Sequence, residues 1–343
     1  MTPAPSTGNG PVAKPEPESW TVRRLLAFIR GRLEARGVDS PRICAEILLC
    51  HVLDCDRLRL YMEADRVATD AERARLRDLV ARASRHEPVQ YLVGSWPFRG
   101  RTFEVSPATL IPRPSSEGVV EAALAWLREQ PGEAPVRMAD VGTGSGNLAI
   151  SIVAETRDRA RRAAGLRGCA PLLDAAPSVG REEAGALPEP IRCCATDIAP
   201  AAVELARRNV ARQGLAAAIE LLEGSLLAPL ERWTVGAARG ELDLVVSNPP
   251  YVSDREWDEL EPNVRDYEPA LALRGGREGL DVVRPLVVQA AEWLRPGGLL
   301  VVEIGHAQRD AVLQLVADRA LWRSAKVRKD HEDFWRVLVA ERA

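Results

Sequence analysis

The sequence predicts an α/β protein: a doubly wound, mostly parallel sheet closed by an antiparallel C-terminal hairpin, with a small helical domain in front. Three observations carry this expectation. From Val136 onward, short apolar runs alternate with helical repeats, as parallel βαβ units require. Before residue 90 the apolar positions recur at three- and four-residue steps, which is a helical period. The 343 residues, 46% hydrophobic and 28% charged, exceed what one core usually organises and are too apolar to stay disordered throughout.

Residues 1–19 are rich in Pro, Gly, Ser and Thr and cannot bury enough apolar surface to offset their ordering entropy, so they read as a disordered tail. One helical face follows in Val22, Leu25, Leu26, Ile29 and Leu33. Ser40 and Pro41 give an N-cap and a first helical position for a second helix through Ile43, Ile47, Leu48 and Val52. Thr69 and Glu72 have capping-box spacing ahead of Leu76, Leu79 and Val80. Residues 20–90 are thus expected to be helical. Residues 91–115 change to Gly, Pro, aromatic and β-branched types, with Phe103, Val105 and Leu110 suggesting a hairpin linker.

The βα alternation occupies residues 116–343. Strands are expected at Val136–Val141, Ile191–Thr196, Ile219–Leu222, Leu242–Ser247 and Leu299–Ile304, with helices at Leu148–Ala154, Pro200–Gln213 and Asp281–Leu294. Phe334–Ala340, with no helical pattern before it after Lys326–Lys329, suits the antiparallel edge hairpin. Residues 156–190 show little periodicity where a short connection would suffice, and read as an inserted surface loop or, functionally, a partner-specific lid.

A formal charge of −3 gives no broad attraction for a phosphate backbone, so direct nucleic-acid binding is not expected. Lys14, Lys326 and Lys329 are the only lysines, a bias of composition that carries no function. No apolar run approaches the roughly 18–20 residues that span a bilayer, and the N-terminus lacks the order of a secretory signal, which points to no membrane and a cytoplasmic address. Cys44, Cys50, Cys55, Cys169, Cys193 and Cys194 form no C-x-x-C pair, so reduced thiols are expected rather than a metal site.

Chemistry concentrates at three strand ends. Asp140 opens D-V-G-T-G-S-G, whose Gly142, Gly144 and Gly146 let backbone approach a ligand at a strand-to-helix turn, with Thr143 and Ser145 between them. The G-x-G-x-G spacing departs from the dinucleotide fingerprint and favours another adenosine-containing cofactor. Asp197 closes the next strand, where an acidic side chain either accepts from both ribose hydroxyls or caps the following helix. Ser247, Asn248, Pro249, Pro250 and Tyr251 directly follow the apolar run Leu242–Val246. An Asn oxygen and a proline carbonyl can together accept both hydrogens of an NH2 group, beside a flat Tyr face.

This combination resembles the class I S-adenosylmethionine-dependent methyltransferases that modify planar amino groups. Within them, EPVQYLVGSWPF, FEVSPATLIPRP, DVGTGSG, SNPPY and EPALAL resemble the HemK/PrmC family, the protein-(glutamine-N(5)) methyltransferases of peptide chain release factors. The resemblance covers Trp20 to the C-terminus. It implies S-adenosylmethionine as cofactor, held by Gly142, Thr143, Gly144, Ser145 and Gly146 at its methionine part, Asp197 at the ribose and Leu226 at the adenine. Asn248 would touch cofactor and substrate, and Asn248, Pro249, Pro250 and Tyr251 would bind the glutamine amide. A release factor as protein substrate, a recognition role for residues 20–90 and a monomer are implied with it. Two departures stand out: Ser225 in EGSLLAP, where the family often has Asp, and Ser115, Ser116 and Glu117 where it has acidic-Thr-Glu.

An amide nitrogen is a poor nucleophile, so the expected task of the protein is alignment and acceptors on both N–H bonds. No general base is nominated, since His51, His86, His306 and His331 lie outside the motifs. The alternatives are a ribosomal-protein glutamine methyltransferase, an adenine-N6 nucleic-acid methyltransferase, and a cofactor-binding module without catalysis.

Overall fold

A computed structural model describes residues 19–130, 134–165, 189–233 and 237–343. Residues 1–18 of the expected tail and Cys169 lie outside the described residues, as does most of the expected insert. The chain divides into two compact units, the first ending at Val93 and the second beginning at Gly94. No helix among the described residues is long and apolar enough to cross a membrane.

The first unit comprises α1 (Val22–Glu34), α2 (Pro41–Leu53), α3 (Arg57–Met62), α4 (Asp70–Ala83) and α5 (Val89–Val93). Thr21 caps α1 by accepting from the Arg24 N–H, and Val22, Leu25, Ile29 and Leu33 are its buried stripe. The Thr69/Glu72 capping box forms, with Thr69 N–H donating to Glu72 at 2.8 Å and Glu72 N–H to Thr69 at 3.3 Å. Two expectations for α2 fail. Ser40 adopts left-handed backbone and makes no cap; its hydroxyl donates to Asp39 instead. Ile43 is 52% exposed, because the stripe facing α1, α4 and α5 is Ala45, Leu48, Leu49 and Val52. Fully burying each such leucine contributes about 1.5–3 kcal/mol.

The second unit opens with the hairpin β1 (Ser95–Phe98) and β2 (Arg101–Glu104), so residues 91–93 of the expected linker are helical instead. Then follow α6 (Glu117–Glu129), β3 (Val136–Val141), α7 (Asn147–Ala163), β4 (Ile191–Asp197), α8 (Pro200–Arg212), β5 (Ile219–Glu223), β6 (Leu242–Ser247), α9 (Asp254–Trp257), α10 (Pro262–Arg265), α11 (Val283–Trp293), β7 (Leu294–Glu303), α12 (Arg309–Leu315), β8 (Trp322–Lys329) and β9 (Trp335–Arg342). Seven strands make one sheet in the order β5-β4-β3-β6-β7-β9-β8. β3 to β7 run parallel, while β9 pairs antiparallel with β7 and with β8. Alternate residues of each central strand enter opposite cores: Met138, Leu244, Val246, Leu299 and Val301 face α6 and α7, whereas Ala139, Val245, Leu300 and Val302 face α11.

The expected insert begins too early at 156, since α7 continues to Ala163. Its last turns are charged but keep the helical period: Thr156 is buried, Asp158 pairs with Arg101 of β2, and Arg161 and Arg162 suit the negative end of the helix. The sequence reading also overlooks α6 and α12. It starts β7 five residues late, because Pro296, Gly297 and Gly298 look like a turn but lie within the strand.

Candidate active site

The chain leaves β3 for β4 on one side and later returns to β6 on the other. Such a reversal opens a crevice beyond the carboxyl ends of the strands. A cleft of about 230 Å³ lies there, lined by residues that include Gly142, Asp197, Leu226 and Asn248. Its floor is pinned across three strands. The N–H groups of Gly142 and Thr143 donate to the Thr196 carbonyl at 2.8 and 2.9 Å, and the Ser247 hydroxyl donates to the Val141 carbonyl at 2.6 Å.

The glycine loop is built around Asp140, which is fully buried. Its Oδ2 accepts from the Thr143 hydroxyl at 2.7 Å and from the Ala149 N–H at 3.1 Å, while Oδ1 has no hydrogen-bond partner among the described residues. Burial pushes this carboxyl up to about 6, against the pull of those two donors. Gly142, Gly144 and Gly146 have φ of +69°, +55° and +82°, which L side chains rarely adopt. A Cβ on Gly142 would meet nothing within 4 Å, so a side chain there would occupy the cleft. A Cβ on Gly146 would press on Ile150 at 3.1 Å; this glycine is buried behind the wall and does not line the cleft. The loop N–H groups are largely used internally, by Thr196, Asp197, Thr143 and Asp140, rather than aimed outward as the motif alone suggests.

Asp197 lines the cleft and is itself held from behind. Its Oδ2 accepts from the Gly144 N–H and its Oδ1 from the Ala199 N–H, both at 2.9 Å. Burial raises this carboxyl, opposed by those backbone donors. Each oxygen keeps a lone pair, so the anchored carboxylate can still accept from a diol. The capping alternative is half right: Asp197 braces the entry to α8, but Ala199 occupies the cap position. Leu226 lies beside it in left-handed backbone (φ +52°), its carbonyl taken by the Thr196 hydroxyl at 2.8 Å. Ser225 is exposed and lines the same wall.

Across the cleft stand Asn248, Pro249 and Pro250. Asn248 Nδ2 donates to Ser116 Oγ at 3.0 Å. Tyr251 departs from expectation: it is not among the cleft-lining residues, and its hydroxyl donates to the buried Glu303 at 3.2 Å. Burial, then the Glu303 charge, raises that phenol. The Tyr251 carbonyl accepts from Gln308 Nε2 at 2.9 Å, and the Pro250 carbonyl packs so tightly on Gly275 that a Cβ there would lie 2.6 Å away.

Several residues that hold the site were not singled out from sequence. Glu268, buried, accepts from the Ile111 N–H at 3.0 Å and pairs with Arg113, tying EPALAL to IPRP; burial raises its carboxyl against that guanidinium. Asn209 is buried in α8 and donates to the Ser145 carbonyl at 2.9 Å and the Glu104 carbonyl at 3.0 Å. The motif strings contained Glu268 and Arg113, whereas Asn209 and Gln308 lie in no motif.

Residues 24–94 match the PrmC N-terminal domain. The release factor glutamine methyltransferase of Geobacter sulfurreducens is 39% identical over 87% of this chain and 89% of its own length. That of Nitratidesulfovibrio vulgaris is 36% identical over 94% of this chain and 95% of its own. Among solved structures, a ribosomal protein L11 methylase from Lactobacillus delbrueckii subsp. bulgaricus aligns over 69% of this chain and 83% of its own at a TM-score of 0.39 and 19% identity. With two relatives above 35% identity and aligned over most of both chains, this protein belongs to the release factor glutamine methyltransferase family.

Proposed function

We propose that this enzyme transfers a methyl group from S-adenosylmethionine to the side-chain amide nitrogen of the glutamine in the GGQ motif of peptide chain release factors. One observation carries the reading: Asn248, Pro249 and Pro250 share a cleft with Asp197 and the glycine loop, in a chain that aligns along most of its length with enzymes of that name.

The cleft residues suit the cofactor. Gly142 and Gly144 leave room that a Cβ would fill, with Gly146 shaping the loop from behind. Asp197, held by two backbone donors, has lone pairs for a ribose diol, and Leu226 offers apolar contact to adenine. Bound there, S-adenosylmethionine supplies an electrophilic methyl group on a sulfonium sulfur. The protein's own work is orientation. Asn248 Oδ1 and the Pro249 carbonyl accept the two N–H bonds of the substrate amide, which raises electron density on nitrogen and offsets the charge that develops there. Tyr251 acts from behind the turn, through its bond to Glu303.

The first unit takes the release factor away from its methylated loop. On α3, Leu58 and Met62 are 70% and 77% exposed, an apolar surface suited to a protein partner. Incubation with labelled cofactor and whole release factors, followed by mass-spectrometric mapping, tests the proposal. Label on the GGQ glutamine is expected, with short GGQ peptides much poorer substrates. Label on adenine or on a ribosomal protein, with release factors unmodified, would overturn it.

A further inference from the structure

Arg274 lines the cleft, yet nothing in the proposed function uses it. Among the described residues that line the cleft it is the one cationic side chain, as Asp197 is the one anionic. Its backbone belongs to the Asn248 side. Arg274 bridges to Val252, just past the Asn248 turn, where the Val252 N–H donates to the Leu273 carbonyl and the Gly275 N–H to the Val252 carbonyl, both at 2.8 Å. At the other end of the same segment Glu268 is tied to Ile111 and Arg113. The stretch from Pro269 to Arg274 is therefore fixed at both ends, and it brings two exposed side chains, Leu271 and Arg274, to the cleft.

The contacts of the guanidinium hold it in place more than they stabilise the fold. Arg274 Nη2 donates to Asp254 at 2.8 Å, and the guanidinium carbon lies 5.2 Å from the centroid of the Trp257 ring. Both partners come from α9. The paired side chains are 48% and 49% exposed, and an ion pair that open adds little to stability. A guanidinium has five N–H donors in a rigid fork, so one anchored edge still leaves donors for a ligand.

The wall beside it is rich in acceptors. Pro249, Pro250 and Pro269 bring carbonyls and no N–H. Asn248 Nδ2 is spent on Ser116 and the Ser247 hydroxyl on the Val141 carbonyl. That suits the NH2 of a glutamine but not the carbonyls of the chain that carries it. The glycines beside that glutamine have no side chains, so the loop offers its backbone, and a carbonyl drawn from water into a cleft needs a donor.

We propose that Arg274 is a substrate-binding residue: its guanidinium, held by Asp254 and Trp257, donates to backbone carbonyl oxygens of the glycine-containing loop that presents the target glutamine. The inference rests on the GGQ glutamine being the methyl acceptor.

The test compares Arg274→Met and Arg274→Lys with the parent in the full chain, reading kcat and KM for the release factor, cofactor Kd and Tm. Methionine keeps an apolar stem against Trp257 but has no donor. It should raise KM at least about fivefold while kcat, cofactor Kd and Tm stay near the parent, the signature of lost substrate binding. Lysine restores charged donors and should bring KM back to within about threefold of the parent. A short GGQ peptide, which lacks contacts away from the loop, should lose kcat/KM by the same factor as the whole release factor. A KM within twofold of the parent for Arg274→Met, or a lysine variant no better than methionine, would overturn the proposal. So would a loss confined to whole release factors, which would place Arg274 against another part of the partner, or a weakened cofactor Kd with KM unchanged, which would assign the guanidinium to the cofactor carboxylate. Mapping the parent enzyme's product separates this from the function itself. Label away from the GGQ glutamine overturns the glutamine reading whatever the variants do, whereas label on it with unchanged Arg274→Met kinetics overturns the role of Arg274 alone.

Discussion

On the β3 side of the cleft, the glycine loop is fixed by backbone N–H groups and by Asp140 and Asp197, which flank it at two adjacent strand ends. On the β6 side, the turn from Asn248 to Tyr251 is fixed by the side chains of Ser116, Glu303 and Gln308, 132, 52 and 57 residues away from their partners. The first wall is largely a property of a motif and its neighbouring strand. The second exists only once α6, β7 and the segment before α12 have assembled around it. A short motif can therefore announce a cofactor wall almost alone, while the wall that would meet the substrate depends on the whole sheet.

The largest expected effect strikes the second wall. Asn248→Ala should lower kcat by about a thousandfold or more with cofactor Kd and Tm nearly unchanged, because it removes positioning rather than burial. Retained turnover would place the acceptor elsewhere. Next comes the backing of the same turn. Gly275→Ala would put a Cβ 2.6 Å from the Pro250 carbonyl and 2.7 Å from Gly279, backbone that cannot rotate away. A loss of about 1–3 kcal/mol in unfolding free energy and a fall in kcat are expected together. An unchanged denaturation midpoint would show that the turn yields at no cost.

On the first wall, Asp197→Ala should weaken cofactor binding by about 1–3 kcal/mol in calorimetry through lost hydrogen bonds. The same change releases the Gly144 and Ala199 N–H groups, so a modest fall in Tm should accompany it. Loss of affinity through Asp197→Ala, set against loss of kcat through Asn248→Ala, would sharpen the division between the walls. Unchanged affinity would remove Asp197 from the binding surface and leave it a brace.

What could be read in advance follows the same division. Runs such as Leu242–Ser247 have one conformational solution, and the strands and glycine loop were legible because local pattern dictates them. Helix α6 was not. It contains Gly118, a poor helix former in isolation, retained where a Cβ would press on Val337 at 3.0 Å. The extra residues of β7 were hidden by Pro296, Gly297 and Gly298, which signal a turn locally but lie inside the strand, at an irregularity between the paired residues Leu294 and Leu299. Tyr251 illustrates the limit at the site: a ring beside two prolines suggests a stacking face, and only the buried Glu303 at the end of an apolar strand explains why it turns the other way.

The smallest expected effect concerns the charge beneath the glycine loop. Asp140 is raised from 3.8 to about 6 by burial, with the Asp197 charge adding to the rise, and its Oδ1 has no compensating donor among the described residues. In the native state it therefore binds a proton that the unfolded chain releases at lower pH. Stability contributed by the protonated form is fully present below the unfolded value and is lost as pH rises through about 6. Replacing Asp140 by Asn fixes a neutral group of the same shape. The difference in unfolding free energy between Asp140→Asn and the parent should shift in favour of the variant from pH 4 to 6.5 and then level off. Chemical denaturation at a series of pH values reads that difference directly, with the other raised carboxyls common to both proteins. A flat difference across the window would mean that Asp140 is ionised at no penalty, and that the glycine loop, like the opposite wall, is compensated by groups from elsewhere in the fold.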